Sequence, residues 1–240
     1  MKKLSKILAV ILAVAVVAVS FAACSGKTGD TDVKNDAKGV KVIDINLSDE
    51  FYALGINKDD AELLASANEF ITQIKADGSF DKICNNYFGD GEPAGVTSAV
   101  EDPSKDQLVV ATNAEFEPFE FKKGEQFYGI DMEVVKAFAD SLGKELVIKD
   151  MNFDAVVTTV QQGKADVAAA GLTVTPARAE QVNFTDSYYS ASQQLIVKAS
   201  DTKFDECKTK EDVDAILNTL DAAAKIGGQN GTTGLCRGRP

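Results

Sequence analysis

The sequence predicts an α/β fold with a parallel sheet, and three observations carry that reading. Short apolar runs rich in β-branched residues open at Leu108-Val-Val-Ala-Thr, at 145–148 and at 166–170. Helix-sized segments separate them: residues 131–142 place Met132, Val135, Phe138, Ala139 and Leu142 on one face, and 153–162 follows the same period. Each segment stops at a glycine, Gly143 or Gly163, as helices commonly do. Strands alternating with helices argue for a parallel sheet.

Taken in order, the chain of 240 residues opens with Met1-Lys-Lys-Leu-Ser-Lys6, an apolar run over residues 7–19, and Phe21-Ala-Ala-Cys24. A basic start, an apolar middle and a small-residue end read as an export signal over residues 1–23. Cys24 after two alanines resembles a bacterial lipoprotein box in which the cysteine is lipidated, although Phe21 departs from the usual leucine. The alternatives are an uncleaved anchor helix and ordinary signal cleavage. Residues 24–40 are polar, with almost nothing to bury, and read as a flexible tether.

Residues 41–92 read as strand and helices. Residues 52–57 are strand-like, and 60–75 place Leu63, Leu64, Ala67, Phe70, Ile71 and Ile74 on one side of a helix that stops at Asp77-Gly78. A second helix covers 80–88. Residues 93–106, with Gly, Pro, Ser and charged residues, read as an exposed joint. The strand that begins near Leu108 then breaks into Asn113-Ala-Glu-Phe-Glu-Pro-Phe119. In open α/β sheets ligands lie beyond the carboxyl ends of strands, so Asn113, Glu115 and Phe116 stand where a ligand would sit.

Five motifs in order give a resemblance. They are Ala111-Thr-Asn-Ala-Glu-Phe-Glu-Pro-Phe-Glu-Phe121, Gly129-Ile-Asp131, Asn152-Phe-Asp154, Asp166-Val-Ala-Ala-Ala-Gly-Leu-Thr-Val-Thr175 with Arg178, and Phe184-Thr-Asp-Ser-Tyr-Tyr189. Together they resemble the polar amino-acid-binding proteins of ABC transporters, solute-binding protein family 3, over residues 107–234. The resemblance implies a type II periplasmic-binding-protein-like fold, two α/β lobes closing on an amino acid. Lys75-Ala-Asp-Gly-Ser-Phe-Asp-Lys-Ile83 and Tyr87-Phe-Gly89 resemble the family's carboxyl end, yet here they precede its beginning. A circular permutation or a tandem fusion explains this order. Under permutation, 41–92 completes the first lobe with 107–198, and 199–240 begins a second lobe that is mostly missing. Leu235-Cys-Arg-Gly-Arg-Pro240 has no family counterpart and reads as a frameshifted or truncated end. The 208–220 helix and the strand near Ile226 are then expected to be loosely held, with no sheet to pack on.

A free amino acid offers a carboxylate, an ammonium and a side chain. Arg178 suits the carboxylate, because a guanidinium binds it bidentately and stays charged. The resemblance gives Thr173 the same partner, Gly171 a carbonyl for the ammonium, and Phe116 and Phe153 the ligand's apolar stem. It places Asn113 at the side-chain tip and Thr232 and Thr233 at the carboxylate from the second lobe. Binders of basic amino acids carry an aspartate at the Asn113 position, so a glutamine-like ligand is expected, with Glu115 keeping basic ligands open. Phe116 and Phe153 also read as ordinary core residues, and Arg178 as a solvated helix arginine.

The implied role is substrate capture for an ABC transporter permease on the outer face of the cell membrane, held there by the lipid anchor. Neither cofactor nor metal is implied. The formal net charge of -12 argues against nucleic acid as partner, and the absence of histidine removes Ser-His-Asp and Cys-His catalysis. Two other functions remain open: a dehydratase-like cleft enzyme using Glu115 and Glu117, and a remnant that binds nothing. With Cys24 lipidated, Cys84, Cys207 and Cys236 leave one pair at most, and Cys84–Cys207 is the expected one.

Overall fold

The computed structural model describes residues 39–221 and 223–236. The export signal, Cys24 and all but the end of the 24–40 tether lie outside the described residues. In chain order, β1 (Val40–Ile43), β2 (Glu50–Tyr52) and β3 (Gly55–Ile56) precede α1 (Ala61–Ala76) and α2 (Ser79–Phe88). Next come β4 (Gln107–Thr112), β5 (Glu115–Phe116), β6 (Glu120–Lys123), β7 (Gln126–Tyr128) and α3 (Ile130–Ser141). They are followed by β8 (Glu145–Asp150), α4 (Phe153–Gln161), β9 (Val167–Ala168), α5 (Pro176–Ala179), β10 (Asn183–Phe184) and β11 (Tyr189–Ala191). The last elements are β12 (Leu195–Lys198), α6 (Lys210–Leu217) and α7 (Thr233–Cys236). The chain forms two compact units, residues 39–47 with 193–221 and residues 48–192 with 223–236.

In the smaller unit β1 and β12 pair antiparallel, with Val40 opposite Lys198 and Ile43 opposite Leu195. Their apolar residues and α6 enclose Ile43, Leu47, Phe204 and the fully buried Val213. A capping box starts α6: Thr209 Oγ1 accepts from the Asp212 N–H at 3.2 Å while the Asp212 carboxylate accepts from the Thr209 N–H at 3.0 Å. This corrects the expectation of a loosely held 208–220 helix. The helix has a sheet to pack on because residues 40–43, in and beside the expected tether, supply β12 with a partner strand.

The larger unit is organised by a five-stranded sheet of order β10-β3-β9-β4-β8. β4 runs parallel to β8 and β9, as the sequence predicts, but β3 and β10 join antiparallel and make the sheet mixed. Residues 52–57 are not one strand. The chain breaks at Ala53-Leu54, where Ala53 N–H donates to the Leu172 carbonyl and Leu54 N–H to Thr185 Oγ1, both at 3.1 Å. β2 therefore pairs with β11 while β3 enters the main sheet.

Helix α1 begins where the Asp60 carboxylate accepts from the Leu63 N–H at 2.9 Å, a cap worth about 1 kcal/mol. It buries Ala67, Phe70, Ile71 and Ile74, and the Phe70 ring lies 5.2 Å from that of Phe138 on α3. Burying each of the three larger side chains contributes roughly 1.5–3 kcal/mol. Helix α3 buries a broad apolar face, on which Ile130, Met132, Val134, Val135, Phe138 and Ala139 have no exposure, and turns Glu133, Lys136 and Asp140 away from it. Residues 93–106 are pinned at several points, among them Ala94, whose N–H donates to Glu133 Oε1 at 3.0 Å, and Ala99, whose N–H donates to the Leu146 carbonyl at 2.8 Å. Val96 exchanges two backbone hydrogen bonds with Phe127, at 2.7 and 2.9 Å, and Ser98 Oγ accepts from the Ile148 N–H at 2.8 Å.

Candidate functional site

Parallel strands β4, β8 and β9 all run towards one edge of the sheet, and the loops that leave this edge carry the candidate residues. Asn113 follows β4, Phe153 opens α4 just after β8, and Gly171 and Thr173 follow β9. The loops after β4 and β8, with residues 229 and 230, line a cleft of about 280 Å³ bounded by Asn113, Glu115, Asn152, Phe153, Asp154, Gln229 and Asn230, whereas Gly171 and Thr173 are not part of that lining.

Asn113 is buried, and its side chain is committed in direction. Its amide nitrogen donates to the Met151 carbonyl at 2.9 Å, which leaves Oδ1 towards the cleft, where it accepts from Gln229 Nε2 at 2.9 Å. Phe116 is partly exposed and stacks on Phe119 at 5.4 Å. Gly171, at φ +50°, lies against this ring: a Cβ there would stand 3.0 Å from Phe116 Cε1. A side chain at 171 would thus meet both a strained backbone and the Phe116 ring.

Arg178 lies on the short helix α5, which starts with the Thr175 hydroxyl accepting from the Arg178 N–H and with Pro176 in its first turn. Its guanidinium donates to the Thr173 carbonyl at 2.7 Å and to the Gly231 carbonyl at 3.0 Å. It also lies 5.3 Å from the centre of the Phe153 ring, within cation–π range. The Thr173 hydroxyl itself points elsewhere, donating to Glu50 Oε2 at 2.9 Å. Thr232 folds onto its own loop, its hydroxyl donating to the Gln229 carbonyl at 2.7 Å, and Thr233 begins α7. The strand expected near Ile226 does not form. Residues 224–229 are irregular and Ile226 is exposed, because no strand of the larger unit pairs with this segment.

Behind Gly171 lie buried acids to which the sequence reading gave no role. Asp131, at the start of α3, accepts from the Gly171 N–H and from the Tyr188 hydroxyl, at 2.8 and 2.7 Å. Burial pushes its carboxyl up to about 6, against the opposing pull of those two bonds. Glu120 is fully buried and neither carboxylate oxygen has a hydrogen-bond partner among the described residues. Burial first, and then the charge of Asp131, push it well above the usual carboxylate range. Asp154 and Gln229 were also missed, although both stand inside stretches that carry the resemblance.

Cys84 and Cys207 are both free thiols, which corrects the expected disulfide. Cys84 is buried on α2 of the larger unit, and Cys207 packs on the Phe204 cluster of the smaller one. Burial pushes the Cys84 thiol up to about 12, which argues against a nucleophilic role. Glu115 and Glu117 are both exposed, and of the two only Glu115 lines the cleft.

The sequence matches the family model for bacterial extracellular solute-binding proteins, family 3, over residues 108–234. It is 35% identical over 104 residues to the arginine-binding extracellular protein ArtP of Bacillus subtilis, covering 43% of this chain and 41% of the relative. It is 32% identical over 125 residues to a probable histidine-binding protein of Campylobacter jejuni, covering 52% and 44%. Among solved structures, an ancestral arginine-binding protein bound to arginine is 41% identical over 35% of this chain and 38% of that one, with a TM-score of 0.34. The chain thus spans less than half the length of these relatives. With the family model covering 127 of 240 residues, from 108 to 234, this chain belongs to the bacterial extracellular solute-binding proteins of family 3.

Proposed function

We propose that this chain captures a free polar amino acid outside the cytoplasm and presents it to an ABC transporter permease. The observation that supports this reading is that Asn113 and Phe153 line one cleft while Arg178 lies against the Phe153 ring and is joined to Asn113 through residues 229–231. A guanidinium stacked on Phe153 suits the ligand carboxylate, and Asn113 offers only its carbonyl oxygen to the side-chain tip. Residues 229 and 231 reach both anchors, so these lie within the span of a few residues, a distance that one amino acid with a long side chain can bridge.

An acceptor at the tip selects a ligand whose side chain ends in a donor. Glutamine, through its carboxamide, meets that demand, and glutamate at neutral pH does not. A basic amino acid is the second reading, supported by Glu115 and Asp154 on the cleft lining and by the arginine-binding relatives. Membership of the transport family supports the permease as partner. The alanine-cysteine box at Ala22-Ala23-Cys24 supports export and lipid attachment. A circular permutation is supported by β3 and α1, which come from residues 41–92 yet pack with the sheet and α3 of the larger unit.

Titration of the full chain with glutamine, arginine, histidine and glutamate tests the proposal. Binding of a donor-tipped amino acid with at least tenfold preference over glutamate is expected. Arg178→Lys should weaken that binding by tenfold or more, since lysine keeps the charge but loses the planar fork. Binding of glutamate as tight as that of glutamine or arginine, or an unchanged affinity in Arg178→Lys, would overturn the site assignment.

A further inference from the structure

Asn113, on the cleft lining, and Arg178, against the ring of Phe153 on that lining, are engaged by the same short stretch of chain. Gln229 Nε2 donates to Asn113 Oδ1 at 2.9 Å, and the Gly231 carbonyl accepts from Arg178 at 3.0 Å. A carboxamide thus stands at the side-chain anchor and a carbonyl oxygen at the carboxylate anchor. These are the two chemical features that a glutamine-like ligand would bring. Gly231 fits closely at φ +78°, where a Cβ would lie 3.3 Å from Asp154 Cβ and 3.4 Å from Phe153 Cδ1.

We propose that residues 229–231 are a tethered stand-in for the ligand, so that an amino acid enters only as this segment leaves Asn113 and Arg178. The inference rests on the reading of those two residues as ligand groups and assigns that site its regulation. The segment is built for displacement. Residues 223–231 are exposed, and 224–229 contribute to no helix or strand. Backbone of that kind opens at the low end of the local stability range. The bond from Arg178 is charge-assisted but ends on a neutral carbonyl, whereas a ligand carboxylate, itself charged, would accept two such bonds from the guanidinium. An incoming amino acid therefore exchanges weaker bonds for stronger ones, and the tether sets a threshold concentration below which the site stays covered. For a site whose competent state is a fraction of the population, apparent affinity falls by that fraction.

The alternative role for the segment is a wall that touches the ligand and holds it in place. The two roles predict opposite signs. Removing a competitor tightens binding, while removing a wall weakens it. With glutamine and arginine as probes, Gln229→Ala and Gly231→Ala are each expected to tighten binding to the full chain by about tenfold, without strengthening binding to Arg178→Lys. Unchanged or weaker binding in both variants overturns the proposal while leaving the amino-acid reading intact.

A second measurement needs no ligand. Hydrogen exchange across residues 229–232 should speed up in Asn113→Ala, because the contact that holds Gln229 is gone. If no amino acid binds any form, faster exchange still establishes the docked segment, and the amino-acid reading alone fails. Exchange equal to that of the unaltered chain overturns the docked stand-in itself.

Discussion

Glu120→Gln is expected to stabilise the protein by roughly 1–3 kcal/mol at pH 8, the scale of one buried polar group left unsatisfied, and to change little at pH 4. The side chain has no exposure, and both its oxygens lack a partner among the described residues. Tyr52 on β2, Asp131 on α3 and Tyr188 before β11 interact with it electrostatically, and none of them is a cation. The sign follows from the direction of the shift. A carboxyl whose folded value lies above its unfolded value, about 4.3 for glutamate, binds its proton more tightly in the folded state. Its contribution to stability is fully present below the unfolded value and is lost as pH rises through the folded one. Asp131, pushed up to about 6, adds a loss of the same sign in the window from roughly 4 to 6. Glutamine at 120 is neutral at every pH and sets an N–H donor near the Asp131 charge. Only the Glu120 part of the pH dependence should therefore disappear. Urea unfolding of both forms at pH 4 and pH 8 measures it, and a stability gap that does not grow with pH would show that Glu120 does not titrate with folding.

Gly129→Ala should destabilise the protein by about 2–6 kcal/mol. Gly129 stands immediately before α3 with φ +125°, and a Cβ there would lie 2.0 Å from the Phe119 carbonyl oxygen, 2.3 Å from its carbon and 2.7 Å from the Glu120 nitrogen. All three are backbone atoms, so no side-chain rotation relieves the overlap. Backbone strain accounts for roughly 1–3 kcal/mol and forced repacking for a similar amount. The displaced backbone would carry Asp131 with it, because the Asp131 N–H donates to the Phe119 carbonyl at 2.9 Å while its carboxylate holds Gly171. Stability and ligand binding should fall together. Gly124→Ala is the control: Gly124 has φ +63° and nothing within 4 Å of its Cβ position, so it tests backbone conformation without the overlap. Equal destabilisation of the two variants in urea would remove the steric part of the argument.

Local chemistry is what the sequence by itself determined. Asp60 before an apolar helical face, Gly78 after it, the β-branched run at Leu108 and the proline that opens α5 act within a few residues of themselves. Each feature is therefore readable in a short window of chain. The family motifs single out Asn113, Phe153 and Gly171, and the parallel strands bring these three positions to one edge of the sheet, which supports their proposed role.

Tertiary structure decided what depends on partners far along the chain. No local signal says that residues 40–43 will pair with 195–198, and that pairing gives α6 its support. Leu54 looks like the middle of a strand until Thr185, 131 residues away, accepts its N–H. Glu120 stands between two phenylalanines in the sequence, and its burial along with theirs is set by pairing in the β5-β6-β7 sheet and by α3 packing against it. Asn113 reads as a polar tip contact, but which end of its amide faces the cleft is fixed by the Met151 carbonyl, 38 residues on. The physical reason is common to all of these. Caps and apolar periodicity are properties of one segment, whereas burial of a charge and the direction of an amide are properties of what another segment places beside it.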